Sequence, residues 1–169
     1  AVIMADAVIA GIGILPATAL AKKVGLDINN GVVVNEYMQT SDPNIYAAGD
    51  LANVPYDSLG KSMRFEHWDN AKQSGKIAGK NMTGRATPVE DLPYFFSDLF
   101  DFGYEAVGDT DSSFDVVEDW LIPNEKGVLY YLDKGIIKGF ILCNIWEKVD
   151  MARGIIGKHS MVSVEELTE

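Results

Sequence analysis

Cysteine is almost missing from this chain: Cys143 is the only one in 169 residues. A single thiol allows no internal disulfide, no C-x-x-C redox pair and no cysteine-based zinc cluster. Its milder implication is a reducing, cytoplasmic setting. Basic residues are scarce too, with 14 Lys plus Arg against 25 Asp plus Glu and a net charge of −11. A surface of that sign argues against a general nucleic-acid or anionic-membrane partner. Nor is there an uninterrupted apolar run of membrane-spanning length. The opening stretch AVIMADAVIAGIGILPATA comes nearest, but Asp6 interrupts it and no Lys or Arg precedes it, so it reads as core and no membrane span is expected. The chain opens without Met and enters an apolar run at once, which is how a chain looks when it starts inside a domain, so a fragment is expected. Internal repeats and low-complexity tracts are lacking.

One further absence concerns nucleotide binding. Gly11-Ile12-Gly13 invites comparison with G-x-G-x-x-G, yet the third glycine position is Pro16, so the fingerprint that seats a pyrophosphate is not here. What is present is a chain 47% hydrophobic and 23% charged, enough apolar content to build a core.

The stretch around which the chemistry gathers is Thr40 to Asp50, TSDPNIYAAGD. Ser41-Asp42-Pro43-Asn44 is dense in turn formers. Ile45 to Ala48 then reads as a short strand buried on both faces, though a helical segment of that length remains an alternative. Gly49 permits close approach, and Asp50 ends the element. A carboxylate beyond the carboxyl end of a parallel strand can accept hydrogen bonds from ligand hydroxyls. The plainer alternative is an Asp that caps the following turn.

Upstream, Ala7 to Ala10 reads as a buried strand, followed by a helix over Ala17 to Val24 that Gly25 stops, and Asn30-Gly31 marks a hairpin between Ile28 and Val32. Downstream, Asn53 to Lys61 reads as a polar loop. An amphipathic helix then runs from near Glu66 or His67 to about Met82, with a small-residue stripe of Ala71, Ser74 or Gly75, Ala78 and Met82. Glu66-His67-Trp68 at its start is the richest polar cluster in the chain, set where free backbone N–H groups attract negative charge. It can equally be a dipole partner and a packing residue. Asn81-Met82-Thr83 has the form of a glycosylation sequon, but nothing else suggests secretion.

Periodicity changes after residues 83–93. Five strands are expected, Tyr94–Ser97, Gly103–Val107, Ser113–Trp120, Val128–Leu132 and Ile136–Asn144, with a tight turn at Asp133-Lys134-Gly135. A helix over Val149 to Ile156 should bury Met151, Ala152, Ile155 and Ile156, with an acidic tail beyond. Tyr94, Phe95, Phe96, Phe100, Phe102 and Tyr104 crowd one region and should mostly be core or interface.

Taken together, DAVIAGIGILPATALAKKVGL, TSDPNIYAAGD and RFEHWDNAKQSGKIAGKNMTG resemble, in order, the last segments of the two-dinucleotide-binding flavoprotein reductases. FFSDLFDFGYEAVGDTDSSFDVVEDW and KGVLYYLDKGIIKGFILCNIWEKVDMARGII resemble the C-terminal domain of the apoptosis-inducing-factor and ferredoxin-reductase branch, nearer the former. The resemblance implies an α/β fragment of such a flavoprotein followed by an α+β C-terminal domain, an antiparallel sheet plus helix. Residues 1–24 would end the NAD-binding domain, 25–84 would complete the FAD-binding domain, and 85–169 would form the interface domain.

The resemblance also implies FAD and NAD(P)H as cofactors, with Gly49, Asp50, His67, Trp68 and Phe96 on FAD. Gly13, Glu66, His67, Phe96, Glu105 and Asn144 would meet the nicotinamide nucleotide. No catalytic acid or base and no metal is implied. Phe96 stands where relatives carry Trp, so ring stacking survives and the indole donor is lost; Ala17 replaces the Asn of the commoner G-x-x-P-N. The His-Pro…Glu signature of dimeric disulfide reductases and a long insertion between Asn124 and Gly127 are both missing. The implied activity is hydride transfer from nicotinamide to flavin and onward to an acceptor protein or quinone; the alternative is an NAD(H)-responsive signalling module. This chain by itself is expected to be inactive and free of flavin, and its N-terminal half to pair with a second copy to cover open strand edges.

Overall fold

The computed structural model describes residues 2–168. Helix α1, Ala19–Lys23, ends with Lys22 and Lys23 against its C-terminal dipole and Gly25 beyond it at φ 80°, donating its N–H to the Lys22 carbonyl at 3.1 Å. Asn30-Gly31 turns the chain tightly, closed by a single antiparallel bridge from Ile28 to Val32. Strand β1, Val32–Val33, lies parallel to β2, Ala52–Tyr56, and β2 pairs antiparallel with β3, Lys61–Met63. The expected loop over Asn53 to Lys61 is therefore a hairpin. Pro55 hid it, because a proline argues against a strand; here it sits past the two residues that β1 pairs, where its missing N–H costs no ladder bond on that side.

Two other expected strands do not form. Residues 7–10 form no regular element and are exposed, with Val8 85% and Ile9 100% accessible, because no other segment among the described residues runs alongside them. Ile45 to Ala48 makes only one bridge, Tyr46 to Gln39, and is half-buried rather than covered on both faces. Asp50 accordingly stands in a short 3₁₀ turn, Gly49–Leu51, and not at a strand's end.

Helix α2, Trp68–Met82, buries Asn70, Ser74 and Ala78, a stripe at i, i+4, i+8. Met82, expected on that stripe, is exposed; its place is taken by Asn81, whose amide bonds Tyr37, Thr87 and the Thr87 N–H. The sequon asparagine is thus spent inside the protein.

The second sheet follows the expected pattern closely. Strands β4 (Tyr94–Leu99), β5 (Phe102–Gly108), β6 (Asp115–Ile122), β7 (Lys126–Asp133) and β8 (Ile136–Cys143) form an all-antiparallel sheet in the order β4-β5-β8-β7-β6. Helix α3, Val149–Lys158, seats Ala152 and the fully buried Ile156 in one cluster with Val107, Phe140 and Leu142. Met151, expected on the apolar face, points to solvent. The acidic tail is not featureless: Ser163 and Glu166 form a reciprocal capping box that starts α4, Val164–Leu167.

The apolar cluster is continuous from Val34 and Val54 of the first sheet to Phe140 and Ile156 of the second. Lys61 of β3 adds an ion pair to the buried Asp109 just after β5. No helix among the described residues is long and apolar enough to cross a membrane.

Candidate functional site at the start of helix α2

Gly49 sets the geometry at the 3₁₀ turn. Its φ of 72° is open to glycine at little cost, and its N–H donates to the buried Ser74 hydroxyl at 2.8 Å, which ties the turn to α2. The adjacent Asp50 carboxylate is left exposed.

Arg64 then assembles the rest. Its side chain is only 6% accessible and spends three nitrogens at once: Nη1 on the Asp50 carbonyl at 2.8 Å, Nε on the Asn30 carbonyl at 3.0 Å, and Nη2 on Glu66 Oε1 at 2.6 Å. Sequence reasoning passed over this residue. The signal was there: in an extended segment, positions 64 and 66 lie on one face, so Arg-x-Glu places a cation and an anion side by side.

His67 precedes α2 in extended conformation, φ −134° and ψ 149°, and its side chain makes no capping hydrogen bond. The helix's first-turn N–H groups are therefore free to meet an acceptor atom of a ligand. The imidazole stacks on Phe95 with centroids 4.1 Å apart and planes 20° apart. Burial pushes its pKa below the ordinary histidine range, while the Asp50 and Glu66 charges pull the other way. The net result is a neutral ring at neutral pH, flanked by two carboxylates. Trp68, the first helical residue, is 68% accessible and has the Lys72 ammonium 4.7 Å from its ring centroid.

Strand alternation splits the aromatic pair. Phe95 turns to His67, whereas Phe96 turns to the opposite face, where it is the cross-strand partner of Glu105. Phe96 is 54% exposed. Glu105 Oε2 is buried and takes no hydrogen bond; burial, and then the nearby Glu147 charge, raise its pKa. An unpaired buried acceptor is costly, and a ligand N–H donor would satisfy it.

Asn144 lies beside the start of β5 and is largely committed within the protein. Its Oδ1 accepts from the Gly103 N–H at 2.9 Å, and its Nδ2 donates to the Glu125 carbonyl at 3.0 Å and the Asp101 carbonyl at 3.3 Å. Gly13, at φ 92° in the exposed N-terminal segment, has no atom near its Cβ position and is not brought to the other residues. The structure thus assembles Gly49, Asp50, Glu66, His67 and Trp68 at one helix start, sets Phe96 with Glu105 across the edge strand, and leaves Gly13 apart. No group of three His, Cys, Asp or Glu side chains among the described residues could hold a metal ion.

The fold is shared with part of known reductases. The structure matches that of the reductase in the covalent putidaredoxin reductase–putidaredoxin complex with a TM-score of 0.83 and 30% identity, over 98% of this chain and 40% of that one. It matches a ferredoxin reductase from Rhodopseudomonas palustris with a TM-score of 0.79 and 29% identity, over 94% of this chain and 39% of that one. Residues 1–75 fit the family model described as pyridine nucleotide-disulphide oxidoreductase. Over 97% of its length the chain is 36% identical to apoptosis-inducing factor 1, mitochondrial, of Dictyostelium discoideum, of which it spans 33%. The comparisons thus support a relation to the pyridine nucleotide-disulphide oxidoreductases, of which this chain spans about a third to two fifths of the length.

Proposed function

We propose that the intact protein is an FAD-dependent NAD(P)H oxidoreductase and that this chain supplies one wall of its flavin–nicotinamide site. The observation that carries the reading is the convergence of Asp50, Glu66 and His67 on an uncapped helix start. Bound FAD would supply the acceptance of a hydride from nicotinamide and the onward release of electrons. The residues of this chain bind and orient. Asp50, with Gly49 permitting close approach, accepts hydrogen bonds from the cofactor's hydroxyl-bearing chain, and the free N–H groups at Trp68 hold an electronegative edge. His67 presents a neutral ring steadied by Phe95, so the site gains no cation that would compete with the nicotinamide. On the other face of β4, Phe96 lies against a ring of the nucleotide and Glu105 accepts from one of its amide N–H groups; Asn144 adds the remaining lone pair of its carbonyl oxygen, and Gly13, set apart from these residues in this chain, would join them only in the intact protein. No side chain is needed as a general acid or base.

Residues 1–24, 25–84 and 85–169 are taken as the end of an NAD-binding domain, the close of an FAD-binding domain and an interface domain. The 169-residue chain by itself is proposed to be inactive, and its exposed apolar residues 2–15 to be the surface through which two copies would pair. The buried Cys143 thiol suits a reducing compartment. The similarity to a putidaredoxin reductase bound to its putidaredoxin favours a small electron-carrier protein as acceptor.

Titration of the intact, flavin-loaded protein with NADH and NADPH, followed by flavin bleaching, tests the reading. Asp50→Ala should lower flavin content, and Glu105→Gln should raise the nucleotide KM about tenfold with flavin content unchanged. An intact protein that carries no flavin, or a flavin that neither nucleotide bleaches, overturns it. The likeness to an apoptosis-inducing factor favours a second reading, an NAD(H)-responsive signalling flavoprotein. Fast turnover with a ferredoxin or quinone and no change of assembly on reduction would remove that alternative.

A further inference from the structure

A cavity of about 370 Å³ lies where helix α2, the segment after it and Arg153 of helix α3 meet. Its volume falls within the range of small-molecule sites, roughly 300–1,000 Å³. Met38, Ile77 and Leu92 give it an apolar floor. Two almost fully buried polar residues open into it. Asn70 is 4% accessible; its Nδ2 donates to the Phe65 carbonyl at 2.8 Å, but its Oδ1 takes no hydrogen bond among the described residues. Tyr56 is 6% accessible, its hydroxyl likewise makes no hydrogen bond, and burial alone drives its pKa far upward, so it is a permanent O–H. Neither atom has a partner among the described residues, and both are open to whatever fills the cavity.

The polarity of the wall selects the occupant. Arg153, the wall's cation, is already spent: Nε donates to the Leu92 carbonyl at 2.6 Å, Nη1 to Asp150 at 3.0 Å, and the guanidinium lies 5.6 Å from the Tyr94 ring centroid. Beside the Tyr56 hydroxyl and the Gln73 amide, which reaches Asp69 Oδ1 at 3.5 Å, the wall offers acceptors: Asn70 Oδ1 and the Asp69 carboxylate, with Glu90 and Asp91 at the exposed rim. We propose that this cavity is a binding site for a compact organic amine or amidine, its N–H head donating to Asn70 Oδ1, the Asp69 carboxylate and the Tyr56 hydroxyl oxygen and its apolar or aromatic body against Ile77 and Leu92. The site stands apart from the flavin reading and does not depend on it. The two places are joined by rings: Tyr56 meets Phe65 edge-on at 5.4 Å, and Phe65 lies 6.2 Å from His67.

The test is calorimetric titration of the intact, cofactor-loaded protein with benzamidine, together with its crystal structure in the presence of that probe. Saturable one-to-one binding is expected, weakened about tenfold in Tyr56→Phe, a change that keeps the packing and removes the hydroxyl. Asn70→Leu should weaken it at least as much. If Asn70→Leu fails to fold, Tyr56→Phe alone decides, since removal of an unpaired hydroxyl leaves the melting temperature unchanged or raised. Absence of saturable binding, binding that Tyr56→Phe leaves unaltered, or a cavity that holds ordered water only in the presence of benzamidine each overturns the proposal.

Discussion

The N-terminal segment and the second sheet are both rich in apolar residues and opposite in outcome. Val8, Ile9 and Ile12 are each at least 85% accessible, whereas Val107, Phe140 and Leu142 are at most 4% accessible. The difference is partnership. Each strand of the second sheet finds a ladder neighbour within a short turn or a single crossover, and α3 covers one face; residues 7–10 find neither among the described residues. Hydrophobicity supplies the free energy of burial only where the chain also supplies the surface to bury against.

That contrast can be broken most severely at Ile156. Ile156→Ala should destabilise the chain by about 3–4 kcal/mol in urea denaturation, because the site is fully buried against a packed sheet. Next is Gly108→Ala. At φ 77° its new Cβ would run into the Lys138 carbonyl and lie 2.7 Å from Ile156 Cδ1, which should cost about 2–3 kcal/mol by the same measurement. Asn144→Ala, which removes three hydrogen bonds at the end of the sheet, should cost about 1–2 kcal/mol. His67 sharpens the contrast through pH. Its folded pKa is depressed, so the unfolded chain binds more protons just below pH ~6.5; stability should be complete above that value and fall as pH drops through the window beneath it. His67→Gln should flatten that part of the profile, and an unchanged slope would refute the assignment. Smallest of all, Ile9→Ser in this chain should shift stability by less than about 0.5 kcal/mol.

Legibility in the sequence follows the same division. All five strands and helix α3 of the second unit could be read with boundaries at most two residues off, because alternation, turn residues and packing partners all lie within the chain. The β2–β3 hairpin was illegible because Pro55 and Asn53 argue against a strand, and only tertiary pairing shows where each backbone N–H points. Asp50, Glu66 and His67 were legible as chemistry, but their convergence was not, since it depends on Arg64 reaching back to residues 30 and 50. Alternation along a strand already sets Phe95 and Phe96 on opposite faces, but which of them meets His67 depends on how β4 packs against the start of α2, which no local pattern gives. The cavity at Asn70 left no sequence signature, because it is space enclosed by three separate segments.

Arg64 carries a consequence for how this site can vary. One guanidinium fixes the Asn30 turn, the Asp50 turn and the Glu66 carboxylate together, so these three positions behave as a single unit under mutation. Substitutions at Arg64 or Glu66 would register at Asp50, and their effects would not add. A lineage seeking to change what binds at the helix start would therefore have to alter three distant loops in concert, or give up Arg64 first.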